Sequence, residues 1–295
     1  MKFSIVTPTF NRAYTIELAI KSVLQQSYQC FEMIISDDGS TDNTEEVVGR
    51  YLNDSRIKYV KSDKNGGVNV ARNIALKNVA EDSDWVTFLD SDDEFFSDAL
   101  AVMKKTIETN PMFNYFRFAT VYDDGISGCS LNNHELIMDF KTYLESAEQE
   151  KGDWVASFNK KVLKSGFAFE EGLNGFEGIS WLDLLRKEKV FYESKRVLLI
   201  HAQNNDSLLR PAKKDRKFYT NIEAGLALYL EKFGGELKEV SKKRYAQHLY
   251  ALGNTRILLG YIRKGFLNTF EAMKYDLFNM RVIRNILSLF KKIDY

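Results

Sequence analysis

The stretch "KFSIVTPTFNRAYTIELAIKSVLQQSYQCFEMIIS" (Lys2–Ser36) carries the patterns of a strand, a helix and a second strand in succession. Its ends, Lys2–Thr7 and Phe31–Ser36, are rich in the β-branched and aromatic residues that favour strands. Between them, Tyr14–Gln26 carries apolar residues at helical spacing. A helix that connects two strands is typical of a parallel α/β sheet, which the stretch therefore predicts.

The same alternation continues to about residue 90. The pattern predicts a helix capped by Thr41 or Asp42, a strand at Ile57–Ser62, a helix at Gly67–Val79 and a strand at Trp85–Leu89. Beyond them the order is mixed, with strands expected at 113–122, 190–192 and 197–201 and a helix at 179–188. The fold class is therefore α/β, a Rossmann-like and mostly parallel sheet flanked by helices.

From Pro211 the pattern becomes mostly helical, with segments at 218–233, 240–262 and 270–293. We expect an α/β domain at 1–210 and a helical, basic region at 211–295. Formal net charge is zero, yet residues 1–210 contain 24 basic and 33 acidic residues and residues 211–295 contain 17 and 8. Such an asymmetry indicates two parts with different partners.

Composition sets further limits. The chain has 295 residues, of which 44% are hydrophobic, as in ordinary globular proteins. No window approaches about 18 uncharged apolar residues, and the apolar stretch at the N-terminus is too short for a signal peptide. Cys30 and Cys129 match no metal-ligand spacing and are interpreted as idle thiols. We expect a cytoplasmic protein.

Polar residues follow each of the first four predicted strands. They are Thr7-Pro8-Thr9, Asp37 to Ser40, Asp63 to Gly67 and Asp90-Ser91-Asp92. Open α/β sheets bind ligands at the carboxyl ends of their strands. The sequence therefore predicts a binding site at that edge.

Asp90 and Asp92 have the spacing to converge on a hard divalent cation. Mg²⁺ or Mn²⁺ held by one or two carboxylates completes its shell with water and substrate phosphates. The alternative interpretation is that Asp92 and its acidic neighbours only charge the start of the next helix, with Ser97 as its cap.

Four fragments together resemble family 2 glycosyltransferases: "FSIVTPTFNR", "SVLQQSYQCFEMIISDDGSTDNT", "DKNGGVNVARNIAL" and "WVTFLDSDDEF". The resemblance is dense from Lys2 to Leu100 and looser to about Arg210. It implies the GT-A fold and inverting transfer of a sugar from a nucleotide-sugar donor, with a UDP-sugar favoured, to an acceptor hydroxyl. It also implies Mn²⁺ or Mg²⁺ as cofactor.

The resemblance assigns donor-side roles by position. Thr7, Pro8 and Thr9 match the loop after the first strand, beside the nucleoside. Asp38 matches the acid that recognises the base, where a carboxylate accepts a ring N–H; the alternative is an acidic turn before a helix. Arg72 matches a residue that contacts base or phosphates, the alternative being a solvated helix face. Asp90 and Ser91 match the donor-binding DxD, and Asp92 and Asp90 its metal ligands.

The catalytic base is placed at Glu177. The family has a Glu-Asp pair at a helix start, and this chain carries Phe176 and Glu177 there. Both positions depart from the pair. A glutamate performs the same proton transfer with a carboxylate displaced by about one bond, and position matters to rate. Asp183, Glu170 and Glu171 remain rivals, and the alternative is a surface carboxylate.

His201 follows the last predicted strand, where some family members carry a further metal ligand; the alternative is a structural histidine. The run Gln203 to Ser207 resembles the segment that closes over the donor. His134 and His248 are interpreted as structural.

The C-terminal region interleaves basic and apolar residues, so it suits peripheral contact with an anionic membrane face. The alternative is a helical subdomain with solvated lysines. No nucleic-acid partner is expected, because the region is too aliphatic.

The sequence thus predicts a glycosyltransferase that acts on a glycan or lipid-linked acceptor, in surface polysaccharide or glycoconjugate synthesis. Two other functions stay open. A non-catalytic nucleotide-sugar or glycan-binding protein would explain the departure at Phe176 and Glu177. A sugar nucleotidyltransferase ranks lower because no glycine-rich loop follows the first strand. An NAD-dependent enzyme is disfavoured for lack of a G-x-G-x-x-G motif.

Overall fold

The structure is a computed structural model that describes residues 1–131, 135–145, 150–201, 214–277 and 280. Its strands are β1 (Phe3–Thr9), β2 (Phe31–Asp37), β3 (Ile57–Lys61), β4 (Trp85–Phe88), β5 (Glu94–Phe95), β6 (Tyr115–Tyr122), β7 (Cys129–Leu131), β8 (Glu135–Met138), β9 (Glu150–Gly152), β10 (Trp154–Asn159) and β11 (Val190–Ile200). Its helices are α1 (Ile16–Leu24), α2 (Thr44–Gly49), α3 (Val68–Lys77), α4 (Ala99–Thr109), α5 (Phe140–Glu145), α6 (Lys161–Lys164), α7 (Gly178–Leu185), α8 (Arg216–Val240), α9 (Lys242–Leu258) and α10 (Ile262–Met273).

Within the described residues, nine strands form one mixed sheet in the order β3-β2-β1-β4-β10-β6-β11-β5, with β8 paired to β11. Strands β1 to β4 are mutually parallel, and β10 runs antiparallel to both β4 and β6. Strand β11 is parallel to β6. The carboxyl ends of β1 to β4, β6 and β11 therefore lie at one edge of the sheet.

The core packs one face of this sheet against α1, α2 and α4. Successive strand residues point to opposite faces, so Phe3 and Ile5 join this cluster with Trp85, while Phe88 faces the other side. There Phe88 meets the rings of Phe169 and Trp181 at centroid separations of 5.6 and 5.4 Å. These edge-on contacts fix α7 beside the end of β4.

The predicted alternation over the first ninety residues is confirmed, with bounds that differ by a few residues. The N-cap position of α2 is Asn43, one residue after the predicted Asp42, but Asn43 makes no side-chain capping hydrogen bond. Oδ1 of Asp42 instead accepts the Thr44 backbone N–H at 3.0 Å. The strands predicted at 190–192 and 197–201 are one strand, β11, with an irregularity between Glu193 and Arg196. Strand β10 was not predicted.

The chain divides into two compact units, Met1–Phe140 with Ala147–Asn205, and Lys141–Ser146 with Asp206–Tyr295. In the second unit, the Arg244 guanidinium donates to the carbonyl oxygens of Tyr143, at 2.8 Å, and Leu144. The predicted boundary at residue 210 lies outside the described residues and stays a prediction.

The third helix predicted in the tail, at 270–293, was predicted to begin at the wrong residue. Helix α10 begins at Ile262 and ends at Met273, and residues 281–293 lie outside the described residues. Of the helices that the structure describes, none is both long and apolar enough to cross a membrane.

Candidate functional site at the carboxyl edge of the sheet

Thr7, Pro8 and Thr9 are the last three residues of β1 and are buried. They were expected in the loop after the strand, but β1 continues through all three and the loop begins at Phe10. The Thr9 carbonyl oxygen accepts the Asp38 backbone N–H at 2.9 Å, which joins the ends of β1 and β2. The hydroxyl oxygens of Thr7 and Thr9 have no hydrogen-bond partner among the described residues.

Asp38 is buried, and both of its carboxylate oxygens accept backbone N–H groups. Oδ1 accepts from Gly66 at 2.8 Å and Oδ2 from Gly67 at 2.7 Å. Burial raises the pKa of this carboxyl group, and the two N–H donors oppose the shift. Asp38 therefore ties the loop after β2 to the start of α3, which the interpretation as an acidic turn did not foresee.

Asp37 has a structural role beside it. Its Oδ1 accepts the Ser40 backbone N–H at 2.7 Å, and its Oδ2 accepts the hydroxyl of Tyr59. Burial and this hydrogen bond raise the pKa of Tyr59. The two adjacent acids thus bind different elements. Asp37 binds its own loop and β3, whereas Asp38 binds the start of α3.

Gly67 makes the contact with Asp38 possible. It has φ +97° and ψ +159°, a conformation that is essentially restricted to glycine. A Cβ here would lie 3.1 Å from Oδ1 of Asn174. The backbone amide of residue 67 can therefore face Asp38 only because the side chain is absent.

Arg72 lies on α3, one turn beyond Gly67, and pairs with Asp90. Its NH2 lies 3.2 Å from Asp90 Oδ1, and its guanidinium carbon lies 5.4 Å from the ring centroid of Phe169. The side chain is only 12% exposed, so the alternative of a solvated helix face is wrong. Two motifs that are separated in the sequence thus meet at the sheet edge.

The acidic run after β4 forms a tight turn that leads into β5. Asp92 Oδ2 lies 3.8 Å from Nε of Arg12, which belongs to the loop after β1. Helix α4 begins only at Ala99, with Asp98 as N-cap. The alternative in which Ser97 caps a helix charged by these acids is therefore wrong.

The pKa of Asp93 is raised by burial and by the neighbouring carboxylates. Burial, followed by the charges of Asp90 and Asp92, raises the pKa of Asp93 to about 8. The backbone N–H of His201 donates to Asp93 Oδ1 at 3.2 Å and opposes the rise. Negative charge is therefore concentrated at the end of β4.

His201 follows β11 and lies between two carboxylates. Its Nε2 is 2.7 Å from Glu94 Oε1, and its Nδ1 is 3.8 Å from Asp123 Oδ2. The segment that resembles a closing loop, Gln203 to Ser207, lies outside the described residues, as does His134. His248 stacks on Tyr229 with ring centroids 4.4 Å apart in the helical unit.

The carboxylates at this edge of the sheet suit a hard divalent cation that takes most of its ligands from water and phosphate. Asp90 and Asp92 offer carboxylate oxygens, the ligand type that Mg²⁺ and Mn²⁺ prefer. The raised pKa of Asp93 marks a concentration of negative charge that a cation would relieve. Among the described residues, however, no three His, Cys, Asp or Glu side chains form a preassembled metal site.

Glu177 precedes α7 as its N-cap residue and is partly buried. Its backbone oxygen accepts the N–H groups of Ser180 and Trp181, at 3.0 and 3.2 Å. Its carboxylate makes no hydrogen bond or ion pair with the described part of the chain. Among its rivals, Asp183 lies 3.7 Å from Arg186 and Glu171 accepts a hydrogen bond from Asn73.

Sequence reasoning missed two buried asparagines, Asn69 and Asn73. Both lie on α3 and hydrogen-bond to the segment Phe169–Asn174, which leads to Glu177. The only signal for them was a pair of amides four residues apart in a helix, a spacing that places both on one face.

Residues 4–158 match the family model "Glycosyl transferase family 2". The GalNAc(5)-diNAcBac-PP-undecaprenol beta-1,3-glucosyltransferase of Campylobacter jejuni is 32% identical over 219 residues, which cover 72% of this chain and 69% of that protein. A UDP-Glc:alpha-D-GlcNAc-diphosphoundecaprenol beta-1,3-glucosyltransferase of Escherichia coli is 35% identical over 126 residues, 42% of this chain and 49% of the relative.

Two solved structures share the fold. Residues 1–349 of S. aureus TarS, in complex with UDP-GlcNAc, superpose with a TM-score of 0.67 at 18% identity, covering 93% of this chain and 91% of that one. A mannosyltransferase from Pyrobaculum calidifontis, in complex with GDP-Man and Mn²⁺, superposes with a TM-score of 0.58 at 16% identity, covering 98% of this chain and 85% of that one. The fold is GT-A, and the chain belongs to glycosyl transferase family 2, as a glycosyltransferase.

Proposed function

We propose that this chain transfers a sugar, with inversion, from a UDP-sugar to a hydroxyl group of a glycan or lipid-linked acceptor. One observation carries the proposal. Asp38 holds the loop of Gly66 and Gly67 through two hydrogen bonds, and Arg72 on the following helix pairs with Asp90. Base-recognising, phosphate-contacting and DxD positions thus meet where such a donor would lie.

The donor side uses the ends of β1, β2 and β4. Each oxygen of Asp38 accepts one backbone N–H and retains a second lone pair, with which it would accept the ring N–H of uracil. Thr7, Pro8 and Thr9 form the wall beside the nucleoside. Arg72 faces the diphosphate, with Asp90 and Ser91 beside it, and a guanidinium suits phosphate oxygens because it donates two parallel hydrogen bonds.

Asp90 and Asp92 would hold Mn²⁺ or Mg²⁺, which when bound neutralises charge on the leaving diphosphate. His201 would join them only after Nε2 leaves Glu94, at 2.7 Å in this structure. The pairing of Arg72 with Asp90 keeps a guanidinium within reach of the same diphosphate.

Glu177 is the proposed general base. It accepts the proton of the acceptor hydroxyl while that oxygen bonds to the anomeric carbon and the bond from this carbon to the diphosphate oxygen breaks. The nucleoside diphosphate leaves with the bonding electrons, and the configuration inverts. Glu177 is favoured over Asp183 and Glu171 because its carboxylate has no partner among the described residues, whereas each of these two carboxylates has one; Glu170 stays a rival.

The acceptor is proposed from the relatives, whose names specify diphosphoundecaprenol-linked glycans. A lipid-linked acceptor places the enzyme at the cytoplasmic face of a membrane, in polysaccharide synthesis. Helix α10 supports such peripheral contact, because Leu267 and Phe270 are about 60% exposed on a helix that also exposes Arg263 and Lys264.

A nucleotide-sugar panel tests the chemistry. Purified protein with Mn²⁺ or Mg²⁺ is expected to release nucleoside diphosphate from one donor, and Asp92→Asn is expected to lose the response to metal. Glu177→Gln should lower transfer by about 100-fold or more, whereas the matched change Asp183→Asn should not. If donors bind and never turn over, the non-catalytic alternative is favoured instead.

Vesicle sedimentation tests the membrane contact separately. The protein should sediment with vesicles that contain phosphatidylglycerol more than with phosphatidylcholine alone. The double change L267S/F270S should reduce this binding, and Leu52→Ser, at an exposed leucine of the first unit, should not. Equal sedimentation of all three proteins would contradict a role of α10.

A further inference from the structure

We infer that Asn69 and Asn73 are positioning residues, which fasten the segment Phe169–Asn174 to α3 and thereby set the place of Glu177 relative to the donor. The inference rests on the proposed function, in which Glu177 is the base. It adds a specific means by which the donor side and the acceptor side of the site are held together.

Asn69 holds the far part of the segment. Its Nδ2 donates to the carbonyl oxygens of Glu170, at 2.8 Å, and Leu173, at 3.2 Å. Its Oδ1 lies 3.4 Å from NH1 of Arg72, so the same amide touches the proposed phosphate-contacting side chain. Asn69 is only 2% exposed, so these contacts replace water.

Asn73 holds the near part of the segment. Its Oδ1 accepts the backbone N–H of Phe169 at 2.8 Å, and its Nδ2 donates to the carbonyl oxygen of the same residue at 2.9 Å. This two-point pairing copies the hydrogen bonding of a neighbouring strand. Nδ2 also donates to Glu171 Oε1 at 2.9 Å, so the buried amide uses its oxygen and its nitrogen alike.

The two residues act from one rigid element. Positions four apart lie on the same face of a helix, so both amides of α3 face the segment. The N-cap of this helix is Gly67, whose N–H donates to Asp38, and Arg72 lies between the two asparagines. Helix α3 therefore carries the donor-side groups and the anchor of the acceptor side together.

The chemistry of the residues supports a positioning role. Asparagine is a weaker helix former than alanine, and an unpaired buried amide costs about 1–3 kcal/mol. Two buried asparagines in a ten-residue helix, Asn69 in its first turn and Asn73 in its middle, are unfavourable unless their hydrogen bonds are needed. Three carbonyl oxygens of the segment accept hydrogen bonds from the two amides, and one backbone N–H of the segment donates to Asn73. The segment ends three residues before Glu177.

Hydrogen exchange tests the fastening directly and needs no substrate. The change N69A/N73A should speed exchange of the amides at 167–174 by about tenfold or more, while those of β4 and β6 keep their protection. The matched control is Asn78→Ala, an exposed asparagine at the end of α3 whose amide donates to the Ile74 carbonyl oxygen of its own helix. Unchanged exchange at 167–174 would overturn the inference.

A double-mutant cycle tests the link to Glu177. Asn73→Ala, which keeps the contact between Asn69 and Arg72, should lower turnover of the donor by about 10- to 100-fold, since displacement by about 1 Å has that effect, and leave the Kd of UDP within about twofold. In a Glu177→Gln background the same change should cost about twofold or less. Losses that multiply, or an equal loss of UDP affinity, would overturn the role.

The two experiments also separate the inference from the function on which it rests. If the unaltered protein turns over no donor, the proposed function fails, whereas the exchange experiment still decides whether the asparagines hold the segment. If turnover is normal in Asn73→Ala, the positioning role fails and the proposed function stands.

Discussion

Gly67→Ala is the substitution with the most direct consequence for the donor side of the site. Gly67 combines φ +97° with ψ +159°, and its N–H donates to Asp38 Oδ2 at 2.7 Å. An alanine must either accept this backbone conformation or rotate away from it. The first choice strains the chain, and the second removes the hydrogen bond to a buried carboxylate.

The size of the effect follows from either choice. A non-glycine residue held in such a region costs about 1–3 kcal/mol, and a hydrogen bond to a charged group is worth about 1.5–3 kcal/mol. The new Cβ would also lie 3.1 Å from Oδ1 of Asn174, which must move slightly. We expect a loss of about 2–3 kcal/mol, and at about 2–4 °C per kcal/mol a Tm lower by roughly 4–12 °C.

Thermal melting and UDP titration measure the two consequences. UDP affinity should fall by about tenfold or more, because the amide that anchors Asp38 moves. The control is Gly166→Ala, also at positive φ (+82°) but with no atom within 4 Å of the new Cβ, which should lower the Tm and leave UDP affinity unchanged. A Gly67→Ala protein that melts and binds UDP like the unaltered protein would refute the reasoning.

Two further predictions concern the helical unit and the acidic turn. Gly265→Ala should lower the free energy of unfolding by about 1–3 kcal/mol, because its Cβ would lie 2.6 Å from Ile257 Cγ1 and 2.7 Å from the Gly253 oxygen. Gly235→Ala, in open space on α8, should instead raise the free energy of unfolding by about 0.5–1 kcal/mol. Chemical unfolding of both variants measures this difference. Asp93→Asn should raise the Tm by an amount that grows as the pH rises from 5 to 8. With a pKa of about 8, Asp93 keeps its proton in the folded protein, whereas the unfolded chain releases that proton near pH 4, so Asp93 destabilises the fold increasingly between these pH values. A Tm difference between the two proteins that does not change with pH would contradict this prediction.

Much of the fold was predictable because its signals are local. The alternation of strands and helices over residues 1–90 follows from hydrophobic periodicity, which each segment carries by itself. The polar strand ends at Asp38 and Asp90 were predictable for the same reason, since a parallel sheet brings the carboxyl ends of its strands to one edge. The DxD spacing and the position of Arg72 after the glycines needed only the resemblance.

Other features depended on contacts between distant segments. Strand β10 inserts between β4 and β6 and runs antiparallel to both, and no local pattern in its six residues indicates these pairing partners. Glu94 was interpreted as one more acid of the run, yet it lies in β5 and pairs with His201, 107 positions away. Such pairings arise from packing and not from local pattern.

The sequence by itself determined the order of the elements in the first ninety residues and the edge at which the polar residues gather. Only the tertiary structure decided that each oxygen of Asp38 accepts a backbone N–H at the start of α3 and that Arg72 pairs with Asp90. It also decided that two asparagines hydrogen-bond to the segment that leads to Glu177. The physical reason is range. Periodicity acts over a few residues, whereas the bond from Asn69 to Leu173 spans 104 positions and exists only once the sheet has placed both ends together.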